Sequence, residues 1–149
     1  MPSLDLSASL RNSVNRIKKI TIKIPSEIKQ LKKVSSGILE ALSSYNVDEA
    51  KLFDIKLCIE EAVRNAIVHG NRCDKSLTVK IDYWVEDDKF ALEVEDQGSG
   101  FDHTLVPDPT SGENILRNSG RGVYLIKRLM DKVEYNQTGN KVRMVKRLK

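Results

Sequence analysis

Glu60-Glu61-Ala62-Val63-Arg64-Asn65-Ala66-Ile67-Val68-His69-Gly70 is the stretch on which the reading of this chain turns. On a helix, Glu61, Asn65 and His69 recur every four residues and project from one side. A carboxylate, a carboxamide and an imidazole on one ridge can serve as base, metal ligand and phosphate neighbour. Two glycine-rich segments follow the ridge, Asp96-Gln97-Gly98-Ser99-Gly100-Phe101 and Gly120-Arg121-Gly122-Val123. Helix ridge, aspartate-glycine turn and glycine-rich helix start, in that order, point to a nucleotide site.

The surrounding pattern places these motifs on elements. Ile20-Thr21-Ile22-Lys23-Ile24 alternates as a half-buried strand does, and Pro25 ends it. Ser26 reads as the N-cap of a helix carrying Ile28, Leu31, Val34, Ile38, Leu39 and Leu42, which Asn46 closes. Asp48 caps a second helix, whose apolar stripe runs from Leu52 to Ile67 with Glu61 and Asn65 on its polar border. Leu77 to Val85 and Phe90 to Glu95 form a hairpin turned by Glu86-Asp87-Asp88-Lys89, and the return strand leads straight into Asp96. Residues 102–119 have little periodicity and read as a functional lid or a disordered segment. Gly122 to Met130 reads as a helix, and Val133–Tyr135 with Val142–Leu148 as a closing hairpin around Gly139. Strands and helices group instead of alternating strictly. The expectation is an α+β two-layer sandwich with a mixed, mainly antiparallel sheet and helices on one face.

Length and composition set the bounds. At 149 residues the chain suits one domain with a core of its own: residues 1–18 read as a flexible N-terminal arm and 19–149 as the domain. No apolar run approaches the roughly 20 residues that span a bilayer, and Met1 to Lys19 lacks a signal-peptide core, so the expected location is the cytoplasm. Cys58 and Cys73 fit that compartment as free thiols. Cys73 follows His69 by four residues, a spacing a metal could use, but no other ligands cluster nearby. The net charge is +4, and basic residues gather from Lys127 onward. No aromatic residues interleave with them as a stacking platform for nucleic acid requires, so no direct nucleic-acid contact is expected.

Residues 20–148 resemble the GHKL, or Bergerat-fold, ATPases, the group of the ATP-binding halves of gyrase, MutL and sensor histidine kinases. Within it, Glu-x-x-x-Asn-Ala-x-x-His-Gly and Gly120 to Val133 look most like the anti-sigma-factor serine kinases. The resemblance implies ATP and Mg2+ as cofactors and assigns roles by position. Glu61 corresponds to the general base, and Asn65 to the magnesium ligand. Asp96 corresponds to the acceptor for the adenine amino group, and Gly98 and Gly100 to the turn beside the base. Gly120 and Gly122 correspond to glycines whose amides meet phosphates, while Arg121 or Arg117 would neutralise the γ-phosphate. Where the family commonly has Gly-Thr, this chain has Gly139-Asn140, which implies a modified contact at the adenine end.

The types are chemically sensible: magnesium prefers oxygen and keeps waters, and phosphoryl transfer needs positioning, charge neutralisation and a base. The resemblance further implies a homodimeric regulatory kinase that holds a sigma factor inactive and phosphorylates a serine on a small antagonist protein, without membrane attachment. Two other readings remain beside it, a non-catalytic ATP-binding interaction module and a detached sensor-kinase catalytic domain. The chain contains only His69 and His103, so a histidine substrate would have to come from another protein.

Overall fold

In a computed structural model that describes residues 18–98 and 118–149, five strands form one sheet. They are β1 (Ile20–Pro25), β2 (Thr78–Glu86), β3 (Lys89–Glu95), β4 (Lys132–Tyr135) and β5 (Lys141–Arg147), in the order β1-β2-β3-β5-β4. The expected mixed sheet is simpler than that: every pairing among the described residues is antiparallel. The register gathers the two halves of each strand's alternation into rows. Ile22, Ile81, Val94, Val142 and Tyr135 pair in sequence across the whole sheet, and Tyr83, Leu92, Met144 and Val133 form the neighbouring row. These rows join the apolar stripes of the helices in one core. On the opposite face the matching row is Thr21, Asp82, Glu93, Arg143 and Glu134. Burial drives the first face, and ion pairing of Glu93 with Lys19, Lys141 and Arg143 satisfies the second.

Three helices cover the apolar face: α1 (Leu31–Leu42), α2 (Glu49–Asn65) and α3 (Asn118–Leu129). Asp48 caps α2 as expected, its side chain accepting from Lys51 N–H at 2.8 Å, a contact worth about 1 kcal/mol. Asn46 adopts φ 54°, the left-handed conformation that stops the preceding helical turn. Asp87 and Asp88 both take positive φ, as a two-residue hairpin turn of matching twist requires. Ser26 is a correction. The chain passes through a 3-10 turn (Ile28–Gln30) before α1, and Ser26 caps nothing. Its hydroxyl is buried and donates to Leu77 O at 2.8 Å, a tertiary bond that outcompetes the local one.

The last helix begins at Asn118, earlier than the expected start at Gly122. Among the described residues no helix is long and apolar enough to cross a membrane. Both cysteines are free; Cys73 is exposed, while burial pushes the Cys58 thiol up to about 12. Of the arm expected at 1–18 and the loop expected at 102–119, residues 1–17 and 102–117 lie outside the described residues, and 118–119 belong to the helix.

Candidate functional site

The ridge on α2 forms as the spacing demands, with Glu61 and Asn65 half-buried at the end of the helix. Glu60, one residue off the ridge, turns toward α1 and accepts from the buried Ser35 hydroxyl at 2.8 Å. That contact leaves Glu61 as the available carboxylate. Beyond Asn65 the backbone widens into a π-helical turn, Ala66–Gly70, closed by Asn71 N–H on Ala66 O at 2.8 Å. Such turns shift the ridge by a fraction of a residue and recur at functional sites. Here the turn carries His69 and Gly70 to the wall of a cleft.

The cleft holds about 180 Å³ and lies between α2, α3 and the ends of β3, β4 and β5. Ala62, Ala66, Val94, Val123, Ile126 and Val142 supply apolar walls, and Asn65, Asp96 and Asn140 supply polar groups. At one end Asp96 follows directly from β3. Its Oδ1 accepts from Gly98 N–H at 2.8 Å, and among the described residues Oδ2 has no hydrogen-bond donor. Burial raises the Asp96 carboxyl above its ordinary value, the Gly98 amide opposes that, and the neighbouring Glu95 adds to it. Two close approaches shape the turn. A Cβ on Gly70 would stand 2.3 Å from Asp96 Oδ2, and one on Gly98 would stand 2.1 Å from Gly70 O. Only glycine fits at either position.

Asn140, the departure from the family's usual Gly-Thr pair, spends its side chain on the protein. Its Oδ1 accepts from Asn136 Nδ2 at 2.7 Å and from Thr138 Oγ1 at 2.8 Å, and its Nδ2 donates to Asp96 O at 3.2 Å. The backbones reciprocate, with Asp96 N–H on Asn140 O at 2.9 Å. Asn140 therefore borders the cleft and braces Asp96.

At the other end α3 lies against α2. Gly122 is one turn inside α3, and a Cβ there would meet Asn65 Nδ2 and Glu61 Oε2, each at 2.9 Å. Its place is the close approach of the helix to the ridge. Gly120 and Arg121 stand in the first turn of α3; Gly120 is among the residues whose amides lack intrahelical acceptors, and Gly122 is past them. Gly100 and Arg117 lie outside the described residues. Among the described residues Glu61 and Asn65 have no protein hydrogen-bond partner, so their oxygens remain open to a ligand. Spacing alone puts His69 on the ridge with no assigned role in the motif and says nothing of Gly70, yet both line the cleft. The signal for both was the unbroken run from Asn65 to Gly70, since a ridge that begins in a cleft continues along it.

A narrow apolar cleft with an unpartnered carboxylate oxygen at one end fits a flat heteroaromatic base carrying an amino donor. An open carboxamide oxygen beside a second carboxylate, against a helix one turn from its N-terminus, fits a magnesium-bound triphosphate tail. The fold and the cleft define an α+β nucleotide-binding domain. The histidine kinase-like ATPase domain matches residues 24–146, and the chain belongs to that family.

Two relatives are informative. The chain is 37% identical over 94 residues to an anti-sigma F factor of Clostridium perfringens (strain SM101 / Type A), covering 61% of this chain and 66% of that protein. It is 32% identical over 139 residues to the serine-protein kinase RsbW of Bacillus subtilis (strain 168), covering 87% of this chain and 85% of that protein. Among solved structures, the RsbU and RsbW domains of Rv1364c from Mycobacterium tuberculosis superpose with a TM-score of 0.61 at 19% identity, over 87% of this chain and 32% of that one. The SiaB-SiaC complex from Pseudomonas aeruginosa gives a TM-score of 0.61 at 12% identity, over 98% of both chains. Those two likenesses concern the fold.

Proposed function

We propose that this protein is an ATP-dependent regulatory serine kinase that binds a sigma factor and phosphorylates a serine on a small antagonist protein. The observation that carries the reading is the contact of α3 with the ridge. Gly122 brings the helix so close that the open oxygens of Glu61 and Asn65 lie beside its first turns. The relatives named for anti-sigma and serine-kinase activity support the choice of partners.

Each residue then has a task. Asp96 accepts a hydrogen bond from the adenine amino group, with Gly70, Gly98 and Asn140 setting its position. Asn65 offers its carboxamide oxygen to magnesium, which would neutralise phosphate charge when bound. Gly120 presents a backbone amide to phosphate, and Arg121 or Arg117 supplies positive charge. Glu61 takes the proton from the attacking serine hydroxyl as the serine oxygen bonds the γ-phosphorus, while the bond from that phosphorus to the β–γ bridging oxygen breaks and ADP leaves. The protein acts as a homodimer in the cytoplasm, and ATP governs which partner it holds.

The test is a transfer assay with γ-labelled ATP, magnesium and the proteins retained from the source cell. A sigma factor co-purifying with a small protein labelled on serine is the expected result. Stable ATP-dependent capture without any labelled serine would favour the non-catalytic binding module and remove the base role from Glu61.

A further inference from the structure

Behind the wall of the cleft lies a polar bundle that the chemistry above does not use. Asn71, immediately after the π-helical turn, is 2% exposed. Its Nδ2 donates to Ser26 Oγ at 2.9 Å and to Thr78 O at 3.0 Å, and its Oδ1 accepts from Gln97 N–H at 2.8 Å. Gln97 in turn accepts from Thr78 N–H at 2.7 Å through its own Oε1. One carboxamide thus ties together the chain after β1, the start of β2, the π-helical turn and the Asp96–Gly98 turn. A buried polar group with its partners in place holds geometry firmly, because any displacement leaves a donor or acceptor unmatched.

The segments it joins meet at Asp96. Gly70, just before Asn71, stands against the Asp96 carboxylate, and Gln97, just after Asp96, is the residue whose amide Asn71 holds. The separation of residues 70 and 96 decides where Oδ2 sits in the cleft, and Asn71 is the brace between them. Adenine presents an amino donor at its six position, whereas guanine presents a carbonyl that a carboxylate repels. A carboxylate held at fixed depth discriminates between them, and one free to swing does so poorly.

We propose that Asn71 is a positioning residue for base recognition, clamping the π-helical turn to the Asp96–Gly98 turn so that the site prefers adenine to guanine. This rests on the ATP reading of the cleft. Titration calorimetry with ATP and with GTP, on the parent chain, Asn71→Ala, Asp96→Asn and the double variant, tests it. Asn71→Ala should lose about tenfold in ATP affinity with GTP affinity nearly unchanged. In the Asp96→Asn background the same change should cost less than about twofold, because the group it positions is gone. Equal losses for ATP and GTP, or full additivity with Asp96→Asn, would overturn the proposal.

A nucleotide-free readout separates the clamp from the reading beneath it. By carboxyl NMR titration, Asn71→Ala should move the Asp96 carboxyl back toward its ordinary value as the side chain gains solvent; an unmoved titration overturns the clamp. A parent chain that binds no ATP overturns the base-recognition role through the reading it rests on, and the titration tells the two failures apart. Should Asn71→Ala not fold, Ser26→Ala removes one of the carboxamide's partners, and a two- to threefold shift in the ATP to GTP ratio is expected. No shift in that variant would overturn the proposal.

Discussion

The two ends of the cleft are built differently. At the Asp96 end, polar groups are tied to backbone and side chains of several segments, and two glycines leave no slack. At the other end, the Glu61 and Asn65 side chains hang from α2 alone and, among the described residues, bond to nothing in the protein. The first end is preorganised, and the second is completed by what it binds. That division suits a switch: a base recognised on a fixed template, and a phosphate end free to answer to nucleotide state.

Substitutions can break the contrast, and the largest effect belongs to chemistry. Glu61→Ala should lower serine transfer about 10²- to 10⁴-fold while ATP affinity stays near that of the parent; equal transfer rates would remove the base assignment. Gly70→Ala should act on binding instead. Its methyl would overlap the Asp96 carboxylate, and a loss of roughly 100-fold in ATP affinity is expected. Retained affinity in calorimetry would mean the fixed end is softer than its contacts imply.

Gly122→Ala meets only the ends of two flexible side chains, so it sharpens the comparison. Transfer should fall about tenfold, with ATP affinity less affected; a larger loss in affinity than in rate would reverse the roles of the two ends. Asp96→Asn keeps the shape and removes the charge, and about tenfold weaker ATP binding is expected.

The pH dependence is the smallest effect. Because burial raises the Asp96 carboxyl above 3.8, ATP affinity should begin to fall on acidification before an ordinary carboxylate would protonate. The ionised form is the disfavoured one in the folded protein. Asp96→Asn should therefore give a small rise in Tm at neutral pH that disappears as the pH drops toward 3.8. A Tm gain that grows toward acid pH would contradict that sign.

Much of this was legible because it is local. Alternation in β1 to β3, the Asp48 cap, the Asn46 stop and the Asp87-Asp88 turn each depend on a few adjacent residues. The ridge was legible for the same reason, since helix periodicity needs only spacing. Ser26 shows where such reasoning ends. It looks like a cap, but Leu77 and Asn71, far along the chain, claim its hydroxyl. The start of α3 lies a turn before Gly122 because that glycine, which reads as a helix start, serves the close approach to α2 from inside the helix.

The sequence by itself determined the class of fold, the order of its elements and the residue types of the site, because these follow from periodicity, turn chemistry and spacing. Tertiary structure decided which of those residues meet. It inserted β5 between β3 and β4, set Asn140 to bracing Asp96, turned Glu60 away to Ser35, and drew Gly70 to the cleft wall with Asn71 behind it. The physical reason is that a hydrogen bond or a close packing contact between distant segments depends on how the layers stack, which spacing along the chain does not encode.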